Sequence, residues 1–140
     1  MPVTIFDRVR ASFAQQQFMT TLGATLLSVN PGAIEIAVPF RADLTQQNGF
    51  LHAGVITSIL DSACGYAALS VAPENFDVLS VEFKVNLLSP AVGERFVARS
   101  KVNVGQTADG RSRGCVRHPR HGRKTDRHHA RNNHHHAWYF

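Results

Sequence analysis

At 140 residues the chain fits one domain and leaves little room for a second. An apolar fraction of 44% supports a packed core and excludes global disorder, and two cysteines, Cys64 and Cys115, exclude a disulfide framework. The net charge of +5 is unevenly spread: residues 1–105 carry 7 Lys+Arg against 8 Asp+Glu, whereas residues 106–140 carry 8 against 2, together with seven of the eight histidines. The opening MPVTIFDRVR has no apolar run of signal-peptide length, and no stretch approaches the roughly 20 apolar residues of a membrane span. A soluble cytoplasmic protein is the expectation.

Residues 4–19 predict an amphipathic helix, capped by Thr4, with Ile5, Val9, Phe13 and Phe18 at roughly helical spacing. Residues 21–29 predict a strand, Asn30-Pro31-Gly32 a turn, and residues 33–40 a second strand that closes a hairpin. Residues 41–52 are polar, contain Gly49, and predict a loop. Residues 53–71 form the longest apolar stretch; length and small residues favour a buried helix, with Ala63, Ala67 and Ala68 allowing close contact with a sheet. Residues 77–88 alternate polar and apolar and predict a long strand, broken by Ser89-Pro90 before another strand at 94–104. No internal repeat is visible. One sheet wrapped round one central helix satisfies this order, and a doubly wound parallel sheet does not, because strands and helices fail to alternate.

From Gln106 the character changes, and Val116 is the only large aliphatic residue between Gln106 and His136. A sheet ending at residue 104 would lack the strands needed to finish covering the helix. Three readings compete. One is a disordered basic tail for nucleic acid or anionic surfaces. Another is a metal-binding tail built on His128-His129 and His134-His135-His136. The third, which the genetic code favours, is a shifted reading frame. Read from the second base, His, Asn and Asp codons give only Ile, Thr or Met, and the CGN codons of Arg give Val, Ala, Gly, Asp or Glu. A His/Arg/Asn-rich stretch is therefore what a β-strand becomes after one extra base near codon 105.

Chemistry concentrates in Gln46-Gln47-Asn48-Gly49-Phe50-Leu51-His52-Ala53-Gly54, followed by Asp61. The loop delivers His52 to the start of the apolar helix. Unpaired backbone N–H groups there attract negative charge, and the small Ala53-Gly54 pair lets a carbonyl approach, which makes an oxyanion site. Asp61 stands in an otherwise apolar helix. Burying a carboxylate costs several kcal/mol unless it is solvated or paired, so Asp61 opens to a cleft or interface, or bonds a core group or partner subunit.

The segment QQNGFLHAGVITSILDSACGYAAL closely resembles the PaaI-like branch of the hotdog-fold thioesterases, in which a loop ending in His-Gly-Gly or His-Ala-Gly opens the central helix. SVEFKVNLLSPAVGERFVARSKV is similar to that family's long strand, Ser-Pro turn and next strand. The likeness covers roughly residues 10–105. It implies an α+β hotdog fold, an antiparallel sheet round a central helix at 53–71. Residues 1–105 would be the thioesterase domain and residues 106–140 an aberrant basic tail.

The implied activity is hydrolysis of acyl-CoA to a free acid and CoA. Asp61 would act as general base or nucleophile, Gln46 would orient the water, and His52 would fix the loop or the thioester. The N–H groups of Ala53 and Gly54 would polarise the carbonyl, and Asn48, Gly49 and Ser80 would contact substrate or water. No metal or organic cofactor is implied, and neither nucleic acid nor membrane is an expected partner. The implied assembly is a homo-oligomer, a dimer at least and a tetramer in many relatives, with the site between subunits. Two rivals stand beside it: a hotdog protein that binds acyl-CoA without turnover, and a basic His-rich nucleic-acid- or metal-binding protein. Cys64 reads as a small core residue. Arg95, Arg99 and Lys101 could meet CoA phosphates or simply be solvated strand charges. Phe50, Phe76 and Phe83 could line an aryl pocket or fill the core.

Overall fold

Thr4 starts the first helix as the sequence predicts. Its side chain accepts the Asp7 N–H while the Asp7 carboxylate takes the Thr4 N–H, a reciprocal capping box. The computed structural model describes residues 3–74 and 76–102 in full, and beyond them the backbone of two strands at 112–117 and 135–139. The single helix expected over 4–19 is two: α1 (Ile5–Gln15) and α2 (Gln17–Leu22). They part at Gln16, whose backbone leaves the helical region at φ −80°, ψ 90° and whose side-chain oxygen takes the Ser62 hydroxyl at 3.1 Å. The strand expected from residue 21 begins later, because Gly23 adopts φ +69° and ends α2. The Ala24 N–H reaches back to the Met19 carbonyl at 2.9 Å, a Schellman-type stop.

Strands β1 (Thr25–Asn30) and β2 (Ala33–Pro39) form the expected hairpin. Helix α3 (Ala53–Leu69) follows a loop containing one short 3-10 turn, and β3 (Phe83–Asn86) and β4 (Arg95–Val102) follow it. The long strand expected over 77–88 is thus only four residues. Residues 77–82 have no strand partner among the described residues, and Leu79 and Val81 are 88% and 93% exposed. Their alternation predicts pairing, yet the described chain offers them no neighbouring strand.

The expectation that the sheet stops at residue 104 is also corrected. Strands β5 (Ser112–Arg117) and β6 (His135–Tyr139) continue it, β5 antiparallel to β4, and β6 bridging β5 and β3. The six strands run β1-β2-β4-β5-β6-β3, every pair antiparallel. Ladder hydrogen bonds are made by backbone and do not read side chains, so edges at β4 and β3 can template strands of poor composition. The remaining residues of the tail, with most of its histidines, lie outside those described.

The sheet wraps one face of α3, which lies against β2, β4, β5 and β6. Ile56, Ile59, Leu60, Ala63 and Ala67 are buried there with Ile34, Ile36, Phe96 and Ala98. Each large aliphatic side chain so buried stabilises by about 1.5–3 kcal/mol. The alanines bring the backbones close enough for Ser100 of β4 to donate its hydroxyl to the Ala63 carbonyl at 2.6 Å. Ala68, expected to join that contact, is only half-buried. This is the hotdog architecture. It leaves a narrow stripe of α3 facing away from the sheet, with Gly54, Ser58, Asp61, Gly65 and Ala68 along it.

Candidate active site

His52 is the N-cap of α3. Its backbone is extended (φ −61°, ψ 137°), its N–H is held by the Leu44 carbonyl at 2.9 Å, and its Nδ1 accepts the Gly54 N–H at 2.8 Å. A capping Nδ1 carries no proton, so the neutral ring bears its hydrogen on Nε2. That geometry suits a brace for the loop. It also explains the glycine, since a Cβ at position 54 would lie 2.9 Å from Nδ1. The expected pair of oxyanion donors is therefore divided. The Gly54 N–H is taken by His52, and the Ala53 N–H has no protein acceptor among the described residues. No acidic residue stands in the first turn of α3, so its positive end is left unneutralised.

The loop before the cap is held by its own backbone. The Gln46 N–H donates to the Phe50 carbonyl at 2.9 Å, and the Gly49 N–H to the Gln46 carbonyl at 3.0 Å. The Asn48 N–H donates to Gln46 Oε1. Gly49 sits at φ +83°, a conformation that a side chain rarely adopts, so its part is the turn itself. The Gln46 side-chain oxygen keeps a second lone pair, and its NH2 remains available as a donor. Gln46 and Ala53 line one cavity of about 530 Å3, walled mainly by Phe50, Ile56, Leu88 and Pro90. The segment 87–91, which lines this cavity, reads from sequence only as a strand break, and nothing there signals a wall.

Asp61 is half-buried on the outward stripe of α3, where the Ser80 hydroxyl donates to its Oδ1 at 2.6 Å. Within one chain it is not beside the cavity. Eight residues of helix separate it from Ala53, a rise of about 12 Å. The structure thus joins Asp61 with Ser80, and Gln46 with Ala53, His52 and the loop turn, as two separate groups. Phe50 reaches the cavity, whereas Phe76 and Phe83 do not line it and are exposed. Cys64 is buried in the core as read. Arg95, Arg99 and Lys101 are exposed on the outer face of β4, and Arg99 pairs with Glu35 across the β2–β4 register at 2.7 Å. No cluster of three metal-ligating side chains occurs among the described residues, and no helix among them is long and apolar enough to cross a membrane.

Comparison with known proteins decides the family. The sequence profile of the Thioesterase superfamily matches residues 48–107, the span that holds the loop turn, the cap and Asp61. A solved thioesterase family protein from Silicibacter pomeroyi is 42% identical, covers 96% of this chain and 92% of its own, and superposes with a TM-score of 0.81. The chain belongs to the thioesterase superfamily. The PaaI protein from the phenylacetic acid degradation operon of E. coli shares the fold at a TM-score of 0.71, covering 97% of this chain and 93% of its own at 14% identity. A candidate esterase of Saccharolobus solfataricus is 30% identical over 86 residues, which span 61% of this chain and 61% of that protein.

Proposed function

We propose that this thioesterase-superfamily chain hydrolyses an acyl-CoA thioester to the free acid and CoA, at a site shared by two copies. The carrying observation is the Ala53 N–H, open at the positive end of α3 and bordering an apolar cavity. There the N–H and the Gln46 NH2 donate to the thioester oxygen, and the cavity takes an uncharged acyl group. Asp61, about 12 Å away along its own helix, serves the carbonyl held by a second copy. The alternating segment 77–82, which has no strand partner among the described residues, supports that assembly, since exposed apolar side chains such as Leu79 and Val81 are normally covered. Two such dimers would build a tetramer, in the cytoplasm.

The chemistry balances without a metal or organic cofactor. A water oxygen attacks the thioester carbon while its proton passes to the Asp61 carboxylate, which Ser80 orients. The oxyanion is stabilised by the helix N-terminus. Collapse breaks the C–S bond, and the departing thiolate recovers the proton from Asp61. His52 braces the loop. The rival basic-tail readings, nucleic acid or metal, rest mostly on residues outside those described.

The test is release of free thiol from short, long and aryl acyl-CoA substrates. Asp61→Asn should lower turnover roughly 100-fold or more while acyl-CoA binding persists. Near-normal turnover with a normal fold would make Asp61 a structural acid. Binding without any turnover in the unchanged protein would leave the non-catalytic acyl-CoA-binding reading.

A further inference from the structure

Arg8 lies on α1, far in sequence from any residue of the site, yet its half-buried guanidinium grips the connection that leads to Ser80. One Nη donates to the carbonyls of Ala72 and Pro73 at 3.3 and 3.1 Å, and the other to the carbonyl of Phe76. From Phe76 the chain runs without helix or paired strand to β3 at Phe83, where pairing with β6 fixes it again, and Leu79 and Val81, which flank Ser80, are almost fully exposed. Between these two anchors the Ser80 hydroxyl donates to Asp61 Oδ1 at 2.6 Å.

Successive side chains of an extended segment point to opposite sides, so a slip of one residue exchanges the two faces. At this position the exchange would set Leu79 or Val81 against the Asp61 carboxylate in place of the Ser80 hydroxyl. A guanidinium with five fixed N–H donors suits gripping several carbonyls at once, which a lysine ammonium cannot reproduce in the same plane. We propose that Arg8 is a positioning residue for the hydrolytic site: by clasping the carbonyls of Ala72, Pro73 and Phe76 it sets the register of residues 77–82, and so keeps Ser80 on Asp61. This rests on the reading of Asp61 as the residue that activates water.

The clasp and its catalytic consequence are tested separately on the full-length protein. Hydrogen exchange of the amides in residues 76–83 reads the clasp without any substrate. Exchange should quicken in Arg8→Gln, and Arg8→Lys should fall between Arg8→Gln and the unchanged protein. Unchanged exchange in Arg8→Gln overturns the proposal. In the hydrolysis assay, Arg8→Gln should lower kcat roughly ten- to hundredfold, the scale of a small misplacement at a reacting group, with KM shifted much less. Ser80→Ala should do the same, and the double variant should be no slower than Ser80→Ala alone. Additive losses would mean that Arg8 acts elsewhere, and a fall in melting temperature with kcat intact would mean that it is merely structural. Should the unchanged protein hydrolyse no thioester, the proposed function fails, while hydrogen exchange still decides whether Arg8 holds the segment.

Discussion

Helices α1 and α3 meet the same problem at their first turns, backbone N–H groups with no partner inside the helix, and meet it differently. At α1 the Thr4 side chain takes the Asp7 N–H at 3.1 Å, the Asp7 carboxylate takes the Thr4 hydroxyl at 2.6 Å, and the carboxylate's charge faces the positive end of the helix. At α3 a neutral imidazole takes one N–H, the first turn holds no acid, and the Ala53 N–H stays open beside a cavity. The first arrangement closes an end for stability. The second gives up that stabilisation and leaves a donor open beside the cavity, so under the proposed function the difference between the two ends would separate a structural cap from a binding one.

The sharpest way to break the comparison is to remove the open donor alone. Proline is tolerated at the first helical position because it fixes φ near −65° and lacks only an N–H that the helix does not use. It also asks an extended conformation of the residue before it, and His52 already has φ −61°, ψ 137°. Ala53→Pro should therefore fold and melt nearly as the unchanged protein does, while thioester turnover drops roughly 100- to 1,000-fold, as for loss of one oxyanion donor. Full turnover in Ala53→Pro would place the oxyanion elsewhere.

The cap itself carries a smaller effect. Gly54→Ala puts a Cβ against the His52 ring and should evict it, and His52→Ala should cost about 1 kcal/mol of stability, as loss of a helix cap does. In nitrogen NMR the unchanged protein should show His52 as the Nε2–H tautomer, and Gly54→Ala should lose that signature. An Nδ1–H tautomer in the unchanged protein would mean that the cap does not form in solution.

How much of this was legible in the sequence follows from where each neighbour comes from. Strand β4 and the segment 77–88 alternate equally well, and the alternation states only that both faces want cover. For β4 the chain itself supplies β2, β5 and α3, so the prediction holds to within a residue or two. For 77–82 no described strand supplies a partner, and the strand shrinks to Phe83–Asn86. The cap was legible as a His-x-Gly motif, but the division of labour between Ala53 and Gly54 was not, because it depends on where an imidazole turns. Arg8 was invisible, since its three acceptors are carbonyls that every residue carries. The tail was misjudged in one respect: its composition argued against strands, yet β5 and β6 pair in the sheet. The proposed frame slip is a separate matter. The source DNA should contain one base near codon 105 whose removal restores an alternating apolar reading, and stop codons in that frame would end the idea.

The smallest effect belongs to the closed end, and it has a definite sign with pH. The Thr4 hydroxyl, and after it the Thr4 backbone N–H, hold the Asp7 carboxyl below its ordinary value of 3.8. A carboxyl whose folded value is lowered stabilises the fold at pH above its unfolded value, and that contribution disappears as pH falls through the folded value. Asp7→Asn should therefore melt below the unchanged protein at about pH 5, and the gap should close as the pH is taken below 3.8. Thr4→Ala, which removes the other half of the box, should lower the melting temperature by about 4 °C near neutral pH. Neither change should alter turnover by more than about twofold, because the Thr4 and Asp7 side chains bond each other and not the site. Melting curves across pH and thiol-release rates measure both. If Thr4→Ala lowered kcat as Ala53→Pro does, the two helix ends would not be divided between stability and binding as their caps suggest.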